Sequence, residues 1–401
     1  MNLPFNPLAN ALSTAGCFEL SDREILDDRE VDLFQLMSFD NVPYHLRVPD
    51  EHQYTTMIAI SRLSIHCAEN KTPAIVLQTN KTAKGEIITY QVSPWFEPSR
   101  STFDQCMLFE SGHFKVGSEI LSYVDARSAY PDTPLLQMLP PAGVPLEPCH
   151  IEIVQRINQF INRIRENMLG PETKRELRKR RKHCRKNYRS SVKWLGKYLN
   201  TYSKLLVLRL DLYYRYDISE LTNTSPDFNS PRHNVHCLMT IKADVERLLG
   251  DFRSNPVLKE IIGYLVRFEH GPYKGQHVHC ILLLDGHDHQ KDVKWAEDIG
   301  QHWGKLTNGR GAYHNCNRNS SDYKYPCTGT ISYDDQEKIY NLCRCLAYLT
   351  KADQYFLFRP LACFRTIQKS VAPKERSGMG RPREKKCTPL NPDSVKKFYK
   401  G

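Results

Sequence analysis

Downstream of residue 150 the apolar positions of this chain fall into two periods. Ile153, Val154, Ile157, Phe160, Ile161 and Ile164 recur at three- and four-residue spacing, which predicts a helix with one apolar stripe. Gly170-Pro171 ends it. Helical spacing resumes through Leu177, Cys184, Tyr188, Val192, Leu195 and Leu199. From Lys204 the period shortens to two. KLLVLRLDLYY (204–214), IIGYLVRFE (261–269) and HVHCILLL (277–284) read as strands. The seven-residue turn HGPYKGQ joins the last two into an antiparallel hairpin. Helical patterns cover 241–252, 292–303 and 335–351, and the loop-rich 304–333 has room for another strand. Upstream, 57–65, 74–78 and 86–92 read as short β-like runs among polar turns. Residues 140–148 carry four prolines in nine positions, the signature of a linker.

These patterns divide the chain into a mixed α/β N-terminal domain (1–139), a proline-rich linker (140–150), a helical basic segment (151–200), an α+β domain (201–369) and a basic, Pro- and Gly-rich tail (370–401) expected to be disordered. The α+β domain is expected to hold an antiparallel sheet flanked by helices. No internal repeat is present. No run approaches the roughly 20 apolar residues of a membrane helix, and MNLPFNPLAN lacks the layout of a signal peptide. The 13 cysteines are odd in number and scattered without a CxxC pair, which fits reduced thiols in a cytoplasm.

Charge sharpens the picture through its placement. Of a net charge of +11, residues 171–200 supply +10, with 12 Lys/Arg against Glu172 and Glu176. Such a segment attracts a polyanion, and Lys179, Arg180, Arg181, Lys182, Arg185 and Lys186 are its candidate DNA contacts. The alternative is a solvated helix face. A second basic piece, Gly380-Arg381-Pro382-Arg383, resembles an AT-hook core, which inserts arginine (here Arg381 and Arg383) into a narrow minor groove; a plain disordered tail is the other reading.

On a strand, residues i and i+2 share a face, so His277 and His279 present two imidazoles side by side. That suits two ligands of one divalent ion. Two satisfied core histidines are the other reading. A second HxH, His287-Asp288-His289, follows Asp285-Gly286 in a loop-like stretch and is set aside. A symmetric hairpin turn places Glu269 close to opposite His277, as a third ligand or as a salt-bridge partner of Arg267 or His270. Such a set leaves open positions on Mg²⁺ or Mn²⁺ for a phosphate oxygen. Downstream, Tyr348 and Lys351 lie one helical turn apart, where a lysine stabilises a phenolate or braces a phosphate. Half-buried packing is the alternative for Tyr348.

Three phrases come in order: RLDLYY (209–214), RFEHGPYKGQHVHCILLL (267–284) and AYLTKADQY (347–355). They resemble the HUH endonuclease superfamily of rolling-circle replication initiators. More narrowly, residues about 200–370 are similar to the inovirus replication-protein family that includes the prophage proteins YagK and YfjJ. The resemblance implies an RRM-like antiparallel sheet, with His277 and His279 as metal ligands and Glu269 as the third. It implies Tyr348 as the nucleophile that forms a 5′-phosphotyrosyl link, Lys351 as its assistant and Arg209 as a DNA contact. The implied cofactor is Mg²⁺ or Mn²⁺. The implied partners are single-stranded origin DNA and a host replication helicase, in the cytoplasm of a bacterial host. Some superfamily members carry two tyrosines on one helix; here Arg344 sits one turn before Tyr348, so a one-tyrosine mechanism is expected. Two other classes stay open. One is a non-catalytic DNA-binding or regulatory prophage protein on the same fold. The other is a fold relative with a structural zinc near His314, Cys316 and Cys327.

Overall fold

A computed structural model describes residues 48–83, 85–106, 117–131, 135–215, 231–255, 258–271, 275–323, 325–351 and 365–374. These form two units, 48–182 and 183–351 with 365–374. No helix among the described residues is long and apolar enough to cross a membrane. Arg381 and Arg383 lie outside the described residues.

The first unit holds helix α1 (Val48–Glu69), the hairpin of strands β1 (Ile75–Thr82) and β2 (Gly85–Val92), helices α2 (Glu97–Cys106), α3 (Ser118–Ala129) and α4 (Pro148–Leu169), and the start of α5 (Pro171–Thr201). The β-like reading of 57–65 is wrong, because that run is the middle of α1. Met57, Ile58, Ile60, Leu63 and Ile65 are all buried. A run buried on several sides shows no clean period, so strand and helix look alike in sequence. The β-like runs 74–78 and 86–92 are strands, and they pair as an antiparallel hairpin from Ile75 opposite Val92 to Thr82 opposite Gly85.

The stripe on α4 is this unit's core. Phe160 meets Phe103 and Tyr123 edge-on at centroid distances of 6.0 and 5.5 Å. The proline-rich stretch is therefore no domain boundary. It straps onto β2, with Tyr90 donating to the Pro140 carbonyl at 2.8 Å and Leu146 N–H to the Ile88 carbonyl at 2.7 Å. The division between units falls instead within α5, after Lys182.

The second unit is mixed α+β. Its strands are β3 (Lys204–Tyr214), β4 (Gly263–Gly271), β5 (Gly275–Asp285), β6 (Gly311–Asn315), β7 (Gly329–Ser332) and β8 (Ile367–Lys369). They make one antiparallel sheet in the order β6-β3-β5-β4-β8, with β7 also on β3. Its helices are α6 (Pro231–Ser254), α7 (Asp292–Leu306) and α8 (Gln336–Lys351). The hairpin turn is tighter than the sequence suggests, since pairing runs to Gly271 opposite Gly275.

Alternation gives the sheet two unlike faces. Leu206, Leu208, Leu210 and Leu212 of β3, Val266 and Phe268 of β4, and Val278, Cys280, Leu282 and Leu284 of β5 form one. They pack on Ile241, Val245 and Leu248 of α6 and on Ala296, Ile299 and Trp303 of α7. Each such large side chain contributes about 1.5–3 kcal/mol by leaving water. Gly300 lets α7 lie flat on the sheet: a Cβ there would sit 2.2 Å from the Tyr313 ring. The opposite parity puts Arg209 and Asp211, Arg267 and Glu269, and His277 and His279 on the other face of the three central strands. Asp211, Arg267, His277 and His279 are buried, Glu269 is half-buried with its side chain 8% exposed, and Arg209 is half-buried. The ionisable groups of the three central strands are thus concentrated on one sheet face.

Candidate metal centre and tyrosine helix

The β4–β5 register sets Glu269 opposite His277 and Arg267 opposite His279, while β3 sets Asp211 opposite His279 from the other side. The Nε2 atoms of His277 and His279 are 3.2 Å apart, with ring centroids at 4.8 Å. Glu269 Oε2 lies 3.3 Å from His279 Nε2. One donor atom from each of Glu269, His277 and His279 falls within 4.8 Å of the others, and the side chains of all three are buried.

The donors fit a divalent cation. His279 Nδ1 meets Asp211 Oδ1 at 2.6 Å. A carboxylate on one ring nitrogen fixes the tautomer and leaves the other nitrogen's lone pair for an ion. Two nitrogens each about 2.1 Å from one ion and at right angles to it would lie roughly 3 Å apart, close to the separation of the two Nε2 atoms. Burial alone would push the His279 pKa down; the Asp211 and Glu269 carboxylates more than reverse this and raise it to about 9. Without an ion, a proton occupies the place of the positive charge this cluster calls for.

Glu269 makes the salt bridge to Arg267 open to it in the sequence, on the oxygen it turns to the cluster. The oxygen that faces His279 also accepts from Arg267 Nε at 3.3 Å. Arg267 is completely buried. Its Nη1 donates to the carbonyl of Leu349 on α8. One guanidinium therefore links the ligand carboxylate to the helix that carries Tyr348. Tyr348 is half-buried on α8, and Cys345, one turn before it, is close enough to feel both Arg209 and His279. Donation from the Cys327 thiol, then the positive charges of Arg209 and His279, lower the Cys345 pKa to about 7. Lys351 ends α8 on the residue spacing that shares a face with Tyr348; its side chain lies outside the described residues.

Among the predicted DNA contacts, Lys179, Arg181, Lys182, Arg185 and Lys186 are exposed on α5. Arg180 is a correction. It is buried and ion-paired with buried Glu119 at 2.8 Å, because one position per turn of this helix faces the unit's interior. Arg209 is half-buried, apart from these exposed helix cations. It sits on the polar sheet face, its guanidinium 5.0 Å over the Tyr323 ring. The zinc reading also fails to assemble: His314, Cys316 and Cys327 are not among the potential metal groups of the described residues, and Cys316 is turned to Asp211 at 4.0 Å. The second HxH stays off the sheet, with His287 on Ser203 and His289 on Glu260. Sequence reasoning missed Asp211, and named Arg267 only as a salt-bridge partner of Glu269 without its tie to α8. The available signal was an ionisable residue at the inward parity of an otherwise apolar strand.

The fold and site thus define an α+β protein with a buried His/His/Glu cluster on an antiparallel sheet. Residues 170–364 match the family described as the YagK/YfjJ C-terminal domain. No curated protein and no solved structure matches the chain.

Proposed function

We propose that this chain is a metal-dependent single-strand DNA nicking and joining enzyme of the HUH type, acting as a phage or prophage rolling-circle replication initiator. The observation that carries the reading is the tie from the ligand cluster through Arg267 to the carbonyl of Leu349, which fixes the tyrosine helix to the sheet face bearing Glu269, His277 and His279. These three residues would hold Mg²⁺ or Mn²⁺. Such an ion supplies charge stabilisation at a bound phosphodiester.

The protein's own groups do the rest. Asp211 orients His279, and Arg267 keeps Glu269 and α8 in register. The Tyr348 hydroxyl attacks the phosphorus of a DNA phosphodiester. The bond from phosphorus to the 3′-oxygen breaks, the tyrosyl oxygen takes its place, and the phenol proton ends on the 3′-hydroxyl. One phosphoester is exchanged for another, so the reverse reaction rejoins the ends. Because Arg344 stands one turn before Tyr348, a single tyrosine acts. Most of the rate comes from orientation and fixed charge. The exposed cations of α5 hold the DNA backbone.

The test is a covalent adduct. The full chain with Mn²⁺ and a pool of labelled single strands spanning candidate origins should give a protein–DNA band that survives denaturation. Tyr348→Phe should abolish it. An adduct that persists in Tyr348→Phe removes the nucleophile assignment; no adduct from any strand favours a non-catalytic DNA-binding protein on the same fold.

A further inference from the structure

Each ionisable group of the polar sheet face has a partner except one. Arg267 answers Glu269 and the Leu349 carbonyl, and Asp211 answers His279. Arg209, two residues before Asp211 on β3 and on the same face, makes no side-chain hydrogen bond or ion pair among the described residues. Its Nε is buried without a partner. The Tyr323 ring lies 5.0 Å from its guanidinium, holding the plane but accepting none of its donors. The carboxylate nearest in sequence, Asp211, is committed to His279 at 2.6 Å. The other ionisable neighbours are the thiols of Cys316 and Cys345 and the Tyr323 phenol.

A guanidinium carries five donors in a rigid fork and no acceptor. Leaving such a group half-buried and unpaired is costly, and proteins do so where an anion is to arrive. The fork suits an anion with two or more oxygens, and phosphate oxygens match its spacing. We infer that Arg209 forms an anion subsite beside the His277/His279/Glu269 cluster, shaped for the non-bridging oxygens of a phosphodiester. Tyr323 keeps the guanidinium in place. This deepens the nicking-enzyme reading by assigning the phosphate's second anchor. It rests on that reading only for the identity of the anion's source, a DNA backbone.

The test reads binding, not turnover. Full-length Tyr348→Phe protein is loaded with Mn²⁺ and titrated with inorganic phosphate. The paramagnetic broadening of the ³¹P signal reports phosphate held next to the ion. The parent should bind phosphate, and Arg209→Gln should weaken this by about tenfold or more, the usual scale for a charge-assisted pair. Arg209→Lys, which keeps the charge but loses the fork, should fall between. Arg156→Gln, an exposed helix cation paired with Glu152, should leave binding unchanged. Near-ultraviolet circular dichroism shows that each variant is folded. If Arg209→Gln were misfolded, Arg209→Lys and Tyr323→Leu, which removes the ring under the guanidinium, carry the same comparison. Equal phosphate affinity in the parent and the folded Arg209 variants overturns the subsite, as does a parent that does not broaden the signal. An Arg209-dependent phosphate site in a protein that forms no adduct with any DNA would leave the subsite standing and overturn the enzyme instead.

Discussion

Asp211 decides which nitrogen of His279 is available. With its carboxylate 2.6 Å from Nδ1, the Nε2 atom faces His277 and Glu269. Asp211→Asn keeps the shape and removes the charge. It should weaken Mn²⁺ binding by about 10–100-fold, measured by calorimetric titration. The same carboxylate sets a pH dependence. The folded-state pKa of His279 lies at about 9, above the ordinary histidine value of 6.5. In the metal-free protein this proton therefore stabilises the fold fully below pH 6.5, and the benefit is lost as pH rises through about 9. An ion must displace that proton, so Mn²⁺ affinity should rise by up to about tenfold from pH 7 to pH 8. A pH-independent affinity over that interval would contradict a protonated His279, and Asp211→Asn should flatten the slope.

Among the elements, the sheet of the second unit is legible in the sequence and its neighbours are less so. The alternation in KLLVLRLDLYY and HVHCILLL fixes which residues share a face, and the Gly-bearing turn sets Glu269 opposite His277. Alternation cannot show that β3 lies beside β5, because strand order is decided by long-range pairing. Asp211 therefore reads as an isolated carboxylate until His279 is placed across from it. Likewise α1 escapes the pattern because burial on several sides erases its period. Helix α5 is evident from its spacing, yet its charge pattern hides Arg180, whose turn faces inward to Glu119. That pair gives a prediction at this scale. Glu119→Ala removes the 2.8 Å partner of a buried guanidinium. It should cost about 3–5 kcal/mol in urea unfolding of the first unit. If Arg180 were a DNA contact instead, stability would hardly change and DNA affinity would rise.

Over the whole molecule, nearly all the net charge lies on one helix, and DNA affinity should show it. Replacing Arg185 and Lys186, both exposed, by Gln should weaken single-strand binding uniformly across sequences. The slope of log affinity against log salt should fall by roughly 0.7 for each phosphate that is no longer neutralised, so by about 1.4 for the pair. Fluorescence anisotropy at several salt concentrations measures it, and an unchanged slope would place the DNA elsewhere. The hydrogen bond between Arg267 and α8 has a consequence of another kind. Its acceptor is a main-chain carbonyl, which every amino acid possesses. No exchange of the residue at 349 for another can delete that acceptor. This tie is thus insensitive to which residue stands at 349 and depends on the arginine of β4. A designer wishing to loosen this tie to the helix of Tyr348 would edit strand β4, not position 349.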